Sequence, residues 1–108
     1  MSQITTHILD TSKGIPAPGI RVWLEKNGIL LGDGVTDKNG RISDLLPEGQ
    51  ILTPGEYELN FETGEYFEAA GIQSFYPKIV IHFSVFDDSH YHVPLLVSPF
   101  GYSTYRGS

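Results

Sequence analysis

Apolar and polar residues alternate over several short stretches of the chain, which is typical of β-strands that bury one face. The clearest stretch is 56–62, where Tyr57, Leu59 and Phe61 lie on one face and Asn60 lies among the polar residues of the other. The same period of two recurs at 4–9, 21–25, 78–85 and 90–97. Short stretches of this kind, separated by turn residues, predict an all-β sandwich of about eight strands in two sheets.

Local turn and helix signals fill the gaps between these strands. Two Asn-Gly dipeptides, at 27–28 and 39–40, predict hairpins because both residues of such a turn need a positive φ. Residues 65–70 interrupt the alternation with a helical composition, and Gly71 stands where a left-handed helix cap belongs. The prediction is one short helix between two strands.

Length and composition limit the class of protein. The chain has 108 residues, of which 40% are hydrophobic and 19% charged, and this predicts a single folded domain over 1–108. No apolar run approaches the roughly 20 residues that cross a bilayer, so no membrane partner is expected. The first ten residues lack the pattern of a secretory signal and cysteine is absent, which favours the cytoplasm. A periplasmic location is the alternative if a leader has been removed.

The charge balance narrows the possible partners. There are 13 acidic residues against 7 basic ones, giving a net charge of −6. A nucleic-acid partner favours the opposite sign, so this class is not expected. An acidic small molecule would need a local cluster of the few cations.

Four histidines offer the main source of chemistry. His90 and His92 share one strand face because they are two residues apart. They could be solvated, could act as an acid/base pair with a pKa of about 6.5, or could bind zinc with His7 as third ligand. The spacing leaves these alternatives open. His82 falls on a polar face and is expected to be solvated, and no G-x-S-x-G motif supports a serine nucleophile.

The local sequence alone assigns no functional role to Arg41 or Arg106. Arg41 follows the turn at 39–40 and is expected to face solvent. Arg106 lies near the chain end, where fraying is common. The stretch 98–105 is too aromatic for a loose tail, however, and is expected to form a strand that holds the terminus against the domain.

Three segments of the sequence together resemble one known family. They are Thr-His-Ile-Leu-Asp at 6–10, Thr-Asp-Lys-Asn-Gly-Arg at 36–41, and the stretch 90–108, which begins His-Tyr-His-Val-Pro-Leu-Leu and ends Tyr-Arg-Gly-Ser. The family is that of the transthyretin-like 5-hydroxyisourate hydrolases. The resemblance runs from about residue 4 to residue 108, and the Tyr-Arg-Gly-Ser ending is its most specific part.

The resemblance implies a fold, an assembly and a reaction. The fold is an eight-stranded transthyretin-type sandwich of two sheets with one short helix. The assembly is a homotetramer with paired sites in a channel at the dimer–dimer interface, each built from two subunits. The reaction is hydrolysis of 5-hydroxyisourate, the product of urate oxidation, to 2-oxo-4-hydroxy-4-carboxy-5-ureidoimidazoline, with no metal or organic cofactor.

Site residues follow from the same resemblance, position by position. It implies catalytic roles for His7, Arg41, His92 and Ser108. It implies substrate binding by Arg41, Tyr105, Arg106, Gly107 and Ser108. His90 is not at a motif position and is left outside both sets. Because Ser108 brings a hydroxyl and a carboxylate towards the site, a C-terminal tag is expected to harm activity more than an N-terminal one.

Two other functions compete with hydrolysis. One is a small-molecule carrier without turnover, the role of the vertebrate transthyretin branch of the same fold. That branch has lysine, glutamate and threonine where this chain has His7, Arg41 and His92, and lacks the Tyr-Arg-Gly-Ser end, so the resemblance favours the enzyme. The other is an immunoglobulin-like binding module, the default for a sandwich of this size. It would be indifferent to the loss of those three side chains.

Overall fold

Nine strands and one helix lie within residues 2–108, the part of the chain that the computed structural model describes. The first five strands are β1 (Ile4–Asp10), β2 (Ile15–Pro16), β3 (Arg21–Lys26), β4 (Ile29–Val35) and β5 (Arg41–Ile42). The others are β6 (Gly55–Phe61), β7 (Ile79–Val85), β8 (Tyr91–Ser98) and β9 (Gly101–Thr104), with helix α1 (Thr63–Ala69) between β6 and β7. The predicted all-β sandwich with a short helix is confirmed, and the two-residue strand β2 is an addition to it.

The strands form two sheets. One has the order β2-β1-β8-β9, with β5 also paired to β1, and the other has the order β4-β3-β6-β7. Strands β1 and β8 run parallel, whereas every other pairing is antiparallel. The parallel pair brings a strand from each end of the chain side by side and sets Thr5 opposite His92.

The core lies between the two sheets and is built from the alternate residues that the sequence pattern predicted. On β6, Tyr57, Leu59 and Phe61 are buried, as expected. The inward faces of the other main strands follow the same rule, with buried residues Ile4, Ile8, Val22, Leu24, Ile79, Ile81, Val85, Tyr91, Val93, Leu95 and Val97. Since the inward positions fill the core, the opposite faces are free to carry polar side chains.

The helix forms where the alternation breaks. It begins at Thr63, two residues before the predicted segment, and Phe67 anchors it in the core. Gly71 has φ 72° and donates its backbone N–H to the carbonyl of Glu68, which confirms the predicted left-handed cap. Within residues 2–108 no helix is long and apolar enough to span a membrane.

One of the two predicted hairpins is wrong. At 27–28 both residues have positive φ, and the turn joins the paired strands β3 and β4. At 39–40 only Gly40 has positive φ, and β4 and β5 lie in different sheets. The chain leaves β4 and pairs with β1, where the backbone N–H of Ile8 donates to the Gly40 carbonyl at 2.7 Å. A turn therefore forms, but its two arms have different partners.

Asn60 also departs from the expected solvated face of β6, because it is only 1% exposed. Its side-chain amide lies 3.4 Å from the backbone carbonyls of Trp23 and Glu58. These weak hydrogen bonds satisfy the buried amide, and one of them is made to the neighbouring strand β3. The alternation within β6 does not show which residues of other strands bury Asn60.

Candidate active site

Three of the residues predicted to be catalytic lie on β1 and on the two strands beside it. β1 lies between β5 and β8, with His7 opposite Arg41 on one side and Thr5 opposite His92 on the other. Directly opposed residues in a sheet have Cβ atoms about 5 Å apart, and residues two apart on a strand lie on the same face. The register therefore brings His7, Arg41 and His92 together from three distant parts of the sequence.

A cavity of about 220 Å³ opens on this face. All but one of its lining residues are of polar types, and they come from β1, β5, β8, the segments beside them and the end of the chain: Thr5, Thr6, Arg41, Ile42, Ser43, His90, His92 and Ser108. Arg41 and Ser108 are exposed, whereas His92 is half-buried. Such a cavity is smaller than the roughly 300–1,000 Å³ usual for ligand pockets. In the single chain it is a small cavity that is open to solvent.

A turn closed by the Asp37 carboxylate holds the backbone of Arg41 at the edge of this cavity. The carboxylate of Asp37 accepts hydrogen bonds from the backbone N–H groups of Asn39, at 2.8 Å, and Arg41, at 3.0 Å. Those two bonds and the neighbouring charge of Arg41 lower the pKa of Asp37, so its carboxylate is ionised at neutral pH. The sequence Asp-Lys-Asn-Gly-Arg thus serves as an aspartate-capped loop that starts β5 with the guanidinium facing outward.

The end of the chain reaches the cavity by folding back on β8. The backbone N–H of Gly107 donates to the His92 carbonyl at 2.8 Å, forming an isolated bridge. A Cβ at position 107 would lie 2.6 Å from Cδ2 of the His92 ring, so only glycine fits against the imidazole there. Gly107 supports one side of His92 and delivers Ser108 into the cavity.

Tyr105 and Arg106 lie elsewhere. They line a second groove, of about 440 Å³, with residues of β7 and β8 such as Phe83 and Tyr91. The Arg106 guanidinium stacks on the Tyr91 ring, 4.2 Å from its centroid. Of the four terminal residues expected to bind substrate, the structure brings Gly107 and Ser108 to the cavity and leaves the other two outside it in the single chain.

His7 lies in a setting that favours its neutral form. Partial burial lowers the pKa of its imidazole, and the positive charge of Arg41 lowers it further. A hydrogen bond with the Asn39 backbone and the charge of Asp37 act in the opposite direction and are outweighed. The ring is therefore able to accept a proton at neutral pH.

The surroundings of His92 also favour its neutral form, and more neighbouring groups contribute. Burial lowers its pKa most, and the charges of His90, Arg41 and His7 lower it further, in that order. A hydrogen bond with the Thr5 backbone raises it by less. Two neutral imidazoles beside a permanent guanidinium suit proton transfer on an anionic or carbonyl-rich molecule. The Arg41 guanidinium supplies the local positive charge that an anionic ligand needs on this acidic chain.

Solvation, acid/base chemistry and zinc binding were the roles considered for His90 and His92, and the geometry argues against zinc binding. Within the described residues, no group of three His, Cys, Asp or Glu side chains is arranged to hold a metal ion, so His7, His90 and His92 do not form the zinc site considered above. His82 is 61% exposed and lies 2.9 Å from a carboxylate oxygen of Glu56, which confirms a solvated histidine. His90 is exposed and His92 is half-buried, and both rings lie within hydrogen-bond distance of the Thr5 hydroxyl.

Two residues of the site had not been assigned to it from the sequence. The Thr5 hydroxyl lies 2.9 Å from Nε2 of His90 and 2.8 Å from Nδ1 of His92, and both Thr5 and His90 line the cavity. The available signal was the alternation itself, because Thr5 shares its face with His7, and His90 shares its face with His92. His90 does not lie at a position of the family motif, so the resemblance does not assign it to the site.

Comparisons of the sequence and of the fold with known proteins identify one family. The sequence profile described as "HIUase/Transthyretin family" matches residues 4–107. The 5-hydroxyisourate hydrolase of Salmonella dublin is 48% identical over 110 residues, which cover 97% of this chain and 80% of that protein. The structure of Klebsiella pneumoniae 5-hydroxyisourate hydrolase superposes with a TM-score of 0.89 at 42% identity, covering 97% of this chain and 92% of that one.

A transthyretin shares the fold as well. Sea bream transthyretin, solved in complex with thyroxine, superposes with the same TM-score of 0.89 at 30% identity, covering 98% of this chain and 95% of that one. The fold and the site together define a transthyretin-type sandwich with a histidine and arginine cavity on the outward face of one sheet. The chain belongs to the HIUase/Transthyretin family.

Proposed function

We propose that this chain is an enzyme that hydrolyses 5-hydroxyisourate to 2-oxo-4-hydroxy-4-carboxy-5-ureidoimidazoline in urate catabolism, without a metal or organic cofactor. Relatives named 5-hydroxyisourate hydrolase support the substrate. The observation that carries the proposal is the meeting of Arg41, His92 and Ser108 in one cavity, with His7 as the cross-strand neighbour of Arg41. These groups can supply the proton transfer and the oxyanion stabilisation that promote hydrolysis of a cyclic amide.

Arg41 binds the substrate in this proposal. 5-Hydroxyisourate is an oxidised purine with several carbonyl oxygens, and a planar guanidinium can donate parallel hydrogen bonds to two acceptors. The loop capped by Asp37 holds the backbone at the start of β5 in place, and therefore fixes the point from which the Arg41 side chain extends. Its charge also stabilises the oxyanion that develops on the attacked carbonyl.

The histidines transfer the protons. One neutral imidazole, His7 or His92, takes a proton from water as the water oxygen bonds to the amide carbonyl carbon. The tetrahedral intermediate then collapses, the ring C–N bond breaks, and the leaving nitrogen receives a proton from the imidazole that has become charged or from its partner. Water is consumed, and the product carries a new carboxyl group. Ser108 lies beside His92 and would contact the substrate or the attacking water with its polar end.

The half-open cavity supports a site completed by assembly. In a single chain it is small, with Arg41 and Ser108 exposed. We propose that the chain forms a homotetramer in which the outward faces of the β2-β1-β8-β9 sheets meet at the dimer–dimer interface and close paired sites. Closure would exclude water and strengthen each electrostatic contact. Sedimentation velocity should give a tetramer, and a stable monomer with full activity would refute this assembly.

The proposed location is the cytoplasm. The absence of cysteine is compatible with a reducing compartment. Fractionation of the native host, followed by detection of the chain, would test this, and recovery from the periplasm would overturn it.

The decisive assay generates 5-hydroxyisourate in place with urate oxidase and follows its ultraviolet decay. The purified chain should accelerate the decay above the uncatalysed rate. Arg41→Ala, His7→Ala and His92→Ala should each lose most of that acceleration, whereas His82→Ala should keep it, because His82 lies on β7 away from the cavity. Decay at the uncatalysed rate with the unmodified chain, together with tight binding of an aromatic ligand, would instead establish a carrier.

A further inference from the structure

The Thr5 hydroxyl links two histidines, only one of which the proposed reaction uses. Its oxygen lies within hydrogen-bond distance of both His90 Nε2, at 2.9 Å, and His92 Nδ1, at 2.8 Å. The two rings lie nearly parallel, with centroids 6.4 Å apart. Thr5 is only 6% exposed, so water has little access to compete for its hydroxyl.

Proton counting couples the states of the two rings. A threonine hydroxyl has one proton, so it can donate to one of the two ring nitrogens and must accept from the other. If Thr5 donates to His90, then His92 carries its proton on Nδ1 and has a free lone pair on Nε2. If Thr5 donates to His92, then His92 carries its proton on Nε2 and cannot accept a proton there.

The surroundings of His92 favour the first arrangement. Its Nδ1 faces Thr5 and its Cδ2 packs against Gly107, so Nε2 is the nitrogen left for the cavity. Arg41, which lines the same cavity, has only donors and lowers the pKa of His92. A lone pair on Nε2 is favourable near that charge, and an N–H is not. The Ser108 hydroxyl can donate or accept, so it suits either arrangement.

We propose that His90 is a positioning residue: by accepting the Thr5 hydroxyl proton at Nε2, it holds His92 in the Nδ1–H tautomer, with the Nε2 lone pair facing the cavity. His90 is exposed and directly precedes β8, so solvent can satisfy its other nitrogen. The relay gives His92 the role of proton acceptor towards the cavity. This catalytic consequence rests on the hydrolysis proposed above, whereas the tautomer itself does not.

The first test reads the tautomer without substrate. Nitrogen NMR of the chain labelled with ¹⁵N-histidine, at a pH where the rings are neutral, should show His92 protonated on Nδ1. In His90→Leu the Thr5 proton has lost its acceptor and should turn to His92, which then becomes protonated on Nε2. His90→Gln, whose amide oxygen can accept, should retain the Nδ1–H form. Nε2 protonation of His92 in the unmodified chain, or no change in His90→Leu, would overturn the proposal.

The second test measures turnover. General acid/base groups contribute about 10²–10⁴-fold, and the wrong tautomer removes part of this, so kcat in His90→Leu should fall roughly 10- to 100-fold. KM should stay within about twofold, because Arg41 is untouched. His90→Gln should recover most of kcat, and the control His82→Leu should match the unmodified chain. An unchanged kcat in His90→Leu would refute the positioning role, whereas a chain without turnover but with the expected tautomers would refute only the proposed hydrolysis.

Discussion

Arg41 offers the sharpest test of the proposed site, because its shape and its charge have separate consequences. Two variants separate them. Arg41→Lys keeps a positive charge but loses the planar fork, and Arg41→Met loses both. The backbone N–H at position 41 would still donate to Asp37 in either variant, so the start of β5 should be preserved.

The expected loss follows from two hydrogen bonds. A hydrogen bond to a charged group contributes about 1.5–3 kcal/mol, and Arg41 is exposed in the single chain, so the lower value applies. Two such bonds give about 3 kcal/mol, or roughly a 100-fold decrease in kcat/KM for Arg41→Met. Arg41→Lys should lie between this variant and the unmodified chain, because one point charge cannot make the paired contact.

The pH profile separates the charge from the shape. The base must be neutral, so activity falls as pH drops through its pKa, and the lowered pKa values of His7 and His92 place this fall below the ordinary value of 6.5. Loss of the Arg41 charge raises both pKa values, so the acid limb of Arg41→Met should move to higher pH. It should remain below about 6.5, because burial, the largest cause in both cases, persists.

In Arg41→Lys the acid limb should stay near its original position, since a charge remains. The other titratable groups facing the histidines are unchanged in both variants: His90 and His7 beside His92, and Asp37 beside His7. The assay is the ultraviolet decay of 5-hydroxyisourate generated in place, measured between about pH 5 and 8. Full activity in Arg41→Lys would refute the paired contact, and an unmoved acid limb in Arg41→Met would refute the electrostatic coupling.

Four further predictions follow from the contacts. Gly107→Ala should lower kcat while far-ultraviolet circular dichroism stays unchanged, because a methyl group would displace the His92 ring; unchanged kcat would contradict this packing. Residues added after Ser108 should lower activity more than the same residues added before Met1, because they would begin inside the cavity; equal activity in the two extended chains would contradict this. Tyr66→Phe should reduce the free energy of unfolding in urea by about 1.5–3 kcal/mol at fixed chain concentration, because the buried carboxylate of Asp10 loses the 2.8 Å hydrogen bond from the Tyr66 hydroxyl; a loss below about 0.5 kcal/mol would contradict it. Exhaustive chelation should leave turnover unchanged, and loss of activity restored by added zinc would contradict the proposed cofactor-free reaction.

Much of the fold could be predicted from the sequence because strand faces are a local property. The period of two identified the buried residues of β6 and β8 before any partner strand was known. Strand partners are not local, and the errors lie there. The turn at 39–40 has the residues of a hairpin, but β5 pairs with β1. Asn60 was expected to face solvent, but it is buried and its amide contacts the neighbouring strand β3.

Less of the site than of the fold could be predicted from the residues alone. His7, Arg41 and His92 followed from the family resemblance, whereas their meeting depends on β1 lying between β5 and β8, a register that no short segment encodes. For Thr5 and His90, the alternation indicates the strand face but not that the Thr5 hydroxyl reaches both imidazoles. Their connection exists only across the parallel pair of strands.

That parallel pair explains how one fold can serve both a hydrolase and a transthyretin. The inward residues of β1 and β8, such as Ile8 and Leu95, are fully buried and specify the sandwich. The outward residues, among them Thr5, His7 and His92, take almost no part in that core, so they can be exchanged without changing the fold. A chain 30% identical to this one therefore superposes with a TM-score of 0.89 and is found with thyroxine bound. Because the two sets alternate residue by residue along the same strands, chemistry can change at one set of positions while packing is kept at the other. The function of a chain with this fold must accordingly be argued from the outward face of β1 and its neighbours.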